Sequence, residues 1–219
     1  MELRRHLSDI LASRPDWYRA LLATIAERLR VTACEGVIRP GEPMPDFVLP
    51  NAEGDLVFSD EMLARGPLVV CFVRGDWCPF CRTNLTALEE ALPDIEAAGA
   101  TLVALMPDTA GHATRAKSAL DLHYQVLSDV DNAVGLRFGA VYRVPDEYRD
   151  ALLSFGIDLG KRHGAETCML PLPATIIVDA GGIVRSVHVS GDVTDRAEPR
   201  DVVACLRALK AGPAASYDR

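Results

Sequence analysis

Positive charge is scarce in this chain and nowhere concentrated. Lys and Arg number 23 against 31 Asp and Glu, the formal net charge is -8, and no basic run is longer than the pair Arg4 and Arg5. Binding to nucleic acid or anionic lipid needs a clustered cationic surface, so neither is expected as a partner. Long apolar runs are also missing. The longest uncharged apolar stretches are LVVCFV at 68–73 and the run from Met169 to Val178, far short of the roughly 20 residues that span a bilayer. The opening segment MELRRHLSDILASRPDW has an early Glu2, a polar face, no continuous apolar core and no small-residue cleavage site, so no export signal is expected. Six unevenly spaced cysteines are too few for the dense framework of a small secreted protein. Free thiols in the cytoplasm are the expectation. There is no internal repeat and no low-complexity tract.

Hydrophobic residues make up 49% and charged residues 25% of 219, which fits a packed core in one domain with an added segment. Leu3, Leu7, Ile10 and Leu11, and after Pro15 Leu21, Leu22, Ile25 and Leu29, recur at helical intervals. They predict an N-terminal helical extension over 1–40. The proline-rich stretch RPGEPMPDFVLP marks the entry to a main domain over 41–210, and a flexible tail is expected over 211–219. Short runs rich in Val, Ile and Leu then alternate with segments of helical period, which predicts an α/β class. The expected central strands are Leu68 to Val73, Thr101 to Met106, Tyr124 to Leu127 and Thr175 to Val178, with Ile183 to Val189 closing a hairpin over Asp179-Ala180-Gly181-Gly182. Leu85, Leu88, Leu92 and Ile95 predict a helix bent at Pro93 and ended at Gly99. A short helix and loop are expected between Tyr142 and Gly164, and a last helix after Glu198 and Pro199.

The sharpest local feature is GDWCPFC, residues 75–81, directly after the apolar run. Cys78 then stands near a helix N-cap and Cys81 in the first turn, three residues on and on the same side. Spare backbone N–H groups and the helix dipole favour a thiolate there and lower a cysteine pKa from about 8.5 to roughly 7 or below. Pro79 suits the first helical position, and Arg74 and Arg82 add positive potential. A thiolate attacks a disulfide sulfur or a peroxide oxygen, and a second thiol closes on the product. Half a zinc site is the bland alternative, but tetrahedral zinc needs four ligands and no second pair is present. No metal and no other cofactor is called for.

Strand, then WCPFC, then helix, and later LPLPATIIVDAGGIVR, resembles the thioredoxin superfamily. More narrowly, GEPMPDFVLPNAEGDLVFSD and RGDWCPFC, within a likeness from about Gly41 to Leu209, resemble the peroxiredoxin-like proteins of the alkyl hydroperoxide reductase and thiol-specific antioxidant family. The resemblance implies a thioredoxin-like fold, with a central mixed sheet flanked by helices. It implies a hydroperoxide or disulfide substrate and a thioredoxin-type electron donor. It also implies a cis proline facing the cysteine pair, here Pro173. The peroxiredoxin template makes Cys81 the attacking residue, with Cys78 replacing a hydroxyl residue, whereas the thioredoxin template starts from Cys78. The greater exposure expected of an N-cap side chain favours Cys78. Peroxiredoxins usually carry an arginine just before the strand matching TIIVD, and this chain has Pro173 there.

Beside the catalytic candidates Cys78 and Cys81, the site-lining candidates are Trp77, Pro79, Pro173 and Asp76. Trp77 either shields the pair or is a partly buried aromatic. Asp76 reads more readily as a solvated loop carboxylate than as a proton carrier. Cys168 is a third redox thiol or a packing residue, Cys71 and Cys205 read as core, and Cys34 has no interpretable partner. His112, His123, His163 and His188 lack nucleophile spacing, and Arg143 is expected on the surface. Three functions follow: a cytoplasmic thiol peroxidase, a thioredoxin-type disulfide reductase, or a non-catalytic module with a structural cysteine pair. The apolar faces of the extension make a homodimer the other expected partner.

Overall fold

The computed structural model describes residues 2–163 and 168–211. In chain order its elements are α1 (Leu3–Ala12), α2 (Asp16–Thr32), β1 (Val48–Pro50), β2 (Leu56–Phe58), α3 (Ser59–Leu63), β3 (Leu68–Phe72), α4 (Pro79–Ala97), β4 (Thr101–Met106), α5 (Ala110–Ala119), β5 (Gln125–Ser128), α6 (Ala133–Arg137), β6 (Val141–Arg143), α7 (Asp146–Ser154), α8 (Leu159–His163), β7 (Met169–Pro171), β8 (Ala174–Val178), β9 (Val184–Val189) and α9 (Pro199–Ala211). The central sheet has the order β5-β4-β3-β8-β9. β3, β4 and β5 run parallel, while β8 is antiparallel to both β3 and β9. This is the predicted mixed sheet flanked by helices.

Every residue of β3 and β8 is buried, as expected of strands covered on both faces, and this is why they read as unbroken apolar runs. The register sets Phe72 opposite Ala174 and Cys71 opposite Thr175. Phe72 packs edge-on to Phe138 at 5.2 Å between ring centroids, while Cys71 accepts a hydrogen bond from Asn84 of α4 on the other face. α4 passes through Pro93 without a break. It stops before Gly99, whose φ of +86° gives the left-handed turn that favours glycine.

The extension belongs to the same core. Leu3 and Leu7 of α1 and Tyr18, Leu22, Ile25 and Leu29 of α2 are buried within this chain. The amides of Leu3 and Arg4 donate to the carboxylate of Glu198, 195 and 194 residues away. The apolar faces expected to serve a homodimer are therefore spent on the chain itself.

Some element boundaries differ from expectation. Residues 142–163 hold two helices where one was expected, several strand ends shift by one residue, as in β5, which starts at Gln125 and not Tyr124, and the hairpin β1–β2 was not foreseen. Its strands, VLP and LVF, are only three residues long, too short for a periodic signal. The expected tail lies, beyond Ala211, outside the described residues. No helix among those described is long and apolar enough to cross a membrane.

Candidate active site

β3 delivers the chain into Arg74, Gly75, Asp76 and Trp77, and α4 starts immediately after. Cys78 is its N-cap with an extended backbone, and its sulfur accepts the amide hydrogen of Cys81 at 3.3 Å. Pro79 takes the first helical position, where its missing N–H costs nothing. Gly75 has φ +133°, and a β-carbon there would lie 2.4 Å from Asp108 Oδ2 and 2.6 Å from Trp77 Nε1. Only glycine lets the loop pass so close to both.

The two sulfurs are hydrogen-bonded to each other, and all six cysteines are free thiols. Both Cys78 and Cys81 are 0% exposed. This removes the ground for assigning attack to Cys78, because its N-cap side chain turns inward and is no more accessible than Cys81. Electrostatics separates the two instead. Burial, the largest single influence, opposes ionisation of Cys81, but the hydrogen bond from Cys78, the charges of Arg74 and Arg196 and the Arg74 amide together outweigh it. The Cys81 thiol is thereby held well below the usual range. Burial, and then donation of its proton to Cys81, push Cys78 well above it. Within the pair, negative charge is therefore favoured on Cys81 over Cys78.

Arg74 is 3% exposed. Its backbone N–H donates to Cys81 Sγ at 3.4 Å, Nη2 to Cys78 Sγ at 3.2 Å and Nη1 to Tyr148 Oη at 2.8 Å. Arg196, 5% exposed, is fixed through Nη1 by the carbonyls of Asp192 and Asp195. Among the described residues neither guanidinium has a carboxylate within ion-pair distance. Arg196 also lies in the wall of a cleft of about 450 Å³ with Thr175, Ser186 and His188. It supplies a cation beside Cys81 from the loop before α9, although Pro173 holds the position before β8. The sequence offered no signal for this, because Arg196 follows the pair by more than a hundred residues.

The remaining candidates fall as follows. Asp76 is buried instead of solvated, ion-paired with Arg162, and 3.5 Å from His112 Nδ1. Its backbone N–H donates to Asp108 Oδ2. Asp108 and His163 face each other at 3.6 Å. Burial, reinforced by the Cys81 charge, pushes Asp108 up to about 7, and burial, helped by Arg162, pulls His163 down to about 4. This buried cluster ties α8 to the loop before the cysteines, so two of the four histidines read as surface or packing residues line it. Trp77 is half-buried, with the Arg74 guanidinium 5.8 Å from its ring centroid. Pro173 is buried beside the end of β3, and its peptide bond is trans, not cis. Cys168 is half-buried next to Val144, whose amide donates to its carbonyl, and Arg143 is exposed. Burial raises Cys71 to about 12, as befits a core thiol. No group of three or more potential ligands among the described residues is arranged to hold a metal.

The sequence profile of the AhpC/TSA family matches residues 40–187. A putative peroxiredoxin Q, chloroplastic, of Oryza sativa subsp. indica is 28% identical over 170 residues, which is 78% of this chain and 67% of that protein. A putative peroxiredoxin of Mycobacterium tuberculosis (strain ATCC 25618 / H37Rv) is 29% identical over 103 residues, 47% of this chain and 65% of its own. Among solved structures, the peroxidoxin BcpB from Mycobacterium tuberculosis superposes with a TM-score of 0.62 at 19% identity, covering 78% of this chain and 97% of that one. A peroxiredoxin Q from Xanthomonas campestris gives 0.59 at 17%, covering 75% and 91%. With the profile spanning well over half of its length, the chain belongs to the AhpC/TSA family, as a thiol peroxidase of peroxiredoxin type.

Proposed function

We propose that this protein reduces hydroperoxides through a dithiol–disulfide cycle in which Cys81 attacks and Cys78 resolves. The Cys81 thiolate attacks a peroxide oxygen. The S–O bond forms as the O–O bond breaks, the sulfur gives up two electrons, and the leaving alkoxide takes a proton from solvent and departs as alcohol. The Cys78 sulfur then attacks the sulfenic acid, the S–S bond forms, and hydroxide leaves with the Cys78 proton as water. A thioredoxin-type dithiol reduces the disulfide and is itself oxidised. Arg74 Nε and Arg196 Nη2 have no hydrogen-bond partner among the described residues, and these donors suit the oxygen being transferred.

The observation that carries this reading is the charge balance. The buried Arg74 guanidinium touches the sulfur pair, the buried Arg196 guanidinium acts on it electrostatically, neither has a carboxylate among the described residues, and uncompensated buried charge is costly. A thiolate is the anion that compensates them. Burial of both sulfurs also favours a hydroperoxide over a protein disulfide as oxidant. With both sulfurs buried, entry of the peroxide and reduction by a protein donor call for local opening of the first turn of α4. The cysteines, all thiols, suit a reducing compartment such as the cytoplasm.

The test is single-turnover oxidation of the reduced protein by cumene hydroperoxide, followed by mass. Wild type is expected to form an intramolecular disulfide, Cys78→Ser to stop at a sulfenic acid, and Cys81→Ser not to react. Full reaction of Cys81→Ser would reverse the roles, and no reaction of wild type would remove the reading.

A further inference from the structure

The redox pair is built on residues of the family-matched segment, yet one of the chains of contact leading from it ends outside that segment. Arg74 Nη1 donates to the Tyr148 hydroxyl at 2.8 Å. Tyr148, 1% exposed on α7, packs in turn against Tyr18, 7% exposed on α2, with ring centroids 6.4 Å apart and the Tyr148 hydroxyl directed to that of Tyr18. The direction of donation is settled at one end. A guanidinium only donates, so Tyr148 Oη accepts from Arg74, and its own hydrogen is left for the oxygen of Tyr18. Burial, first among the causes, keeps Tyr148 protonated by raising it well above the usual phenol range. Tyr142 brings a second phenol to the same guanidinium.

The two helices that carry this relay are clamped together. Tyr18 meets Phe155 edge-on at 5.0 Å, Trp17 stacks on Phe155 at 5.7 Å, and Arg28 pairs with Glu147 at 3.1 Å. On the far side Arg74 Nη2 contacts Cys78 Sγ. The guanidinium is therefore held between phenols and sulfur. Its planar fork makes the sulfur contact depend on where the phenols hold the other nitrogen.

We propose that the N-terminal extension is a working part of the redox centre: Tyr18, acting through Tyr148, is a positioning residue that holds the Arg74 guanidinium against the cysteine pair. The inference rests on the reading of that pair as the site of thiolate chemistry. It assigns a role to a segment that the AhpC/TSA profile does not reach, residue 18 lying before the match at 40–187.

The experiment compares full-length wild type, Tyr18→Phe and Tyr148→Phe. It reads the pH profile of iodoacetamide alkylation of the reduced protein, kcat/KM for cumene hydroperoxide, and Tm. Phenylalanine keeps each ring and removes only the hydroxyl. Tyr148→Phe is expected to move the alkylation midpoint upward and to lower kcat/KM about 10-fold, the scale of one lost hydrogen bond to a charged group. Tyr18→Phe is expected to shift both in the same direction by about 3-fold. Should Tyr148→Phe fail to fold, Tyr18→Phe, altered at the far end of the relay, still decides. Wild-type midpoints and kcat/KM in a folded Tyr18→Phe variant, with or without a lower Tm, would reduce the relay to packing and overturn the proposal. A wild type with no thiol ionising below the ordinary range would instead overturn the underlying reading, and the relay with it.

Discussion

Replacing Arg74 by methionine tests whether its guanidinium sustains the thiolate. At an effective dielectric constant of about 20, unit charges about 4 Å apart interact by roughly 4 kcal/mol. Arg74 Nη2 lies 3.2 Å from Cys78 Sγ, and the anion on Cys81 is one S–H···S hydrogen bond further. At about twice that separation the interaction falls to roughly 2 kcal/mol, or about 1.5 pKa units. The midpoint for alkylation of reduced Arg74→Met should rise by about that amount, and its neutral-pH rate should fall at least about 10-fold. Stability should fall as well. Removing one member of a buried charge pair leaves the other uncompensated unless it takes up a proton, so the reduced protein should lose about 1–3 kcal/mol at neutral pH and less once the pair is fully protonated. An Arg74→Met protein that folds and keeps the wild-type midpoint would refute the claim that this guanidinium sustains the thiolate.

Acidification should weaken the fold through His163. Its folded pKa of about 4 lies below the ordinary value, so between pH 6.5 and 4 the unfolded chain takes the proton first. The His163 contribution to stability is lost as pH falls through that window, by about 3 kcal/mol, while Asp108, raised to about 7, acts in the opposite sense. The test is therefore the difference in slope between wild type and His163→Gln, whose denaturation midpoints should fall less steeply from pH 6.5 to 4. Glu198→Ala removes the carboxylate that receives the Leu3 and Arg4 amides; it should cost about 1 kcal/mol and abolish hydrogen-exchange protection at those two amides. Gly75→Ala brings a β-carbon against Asp108 and Trp77 at a positive φ. It should destabilise by about 1–3 kcal/mol and slow peroxide reduction, both read on the same purified protein.

Much of the fold was legible because it rests on local pattern. β3 and β8 announce themselves as unbroken apolar runs, since both faces of each strand are covered. α4 is marked by Pro79 at its start, the stripe from Leu85 to Ile95 and Gly99 at its end. The cysteine pair follows from the same logic, because an N-cap and a first-turn residue meet wherever a helix begins. What sequence could not give is what arrives from elsewhere in the chain. Arg196, Tyr148 and Tyr18 reach the pair or its arginine across long separations, and each reads locally as an ordinary surface cation or core aromatic. Exposure failed for the same reason: α7 and α8, in the segment after Tyr142, carry Tyr148 to Arg74 and Arg162 to Asp76, so the site is closed in. Asp76, solvated by local reading, becomes a buried ion-pair partner once Arg162 and His112 are brought to it.

The central claim is that one sulfur of the pair is an anion at neutral pH and that this sulfur belongs to Cys81. Ultraviolet titration of thiolate absorbance in reduced wild type, Cys78→Ser and Cys81→Ser tests it most directly. The account predicts a transition below the ordinary cysteine range of about 8.5 in wild type, retained though weakened in Cys78→Ser and absent from Cys81→Ser. A low transition that survives in Cys81→Ser, or a wild type whose thiols all titrate at or above the ordinary value, would contradict it.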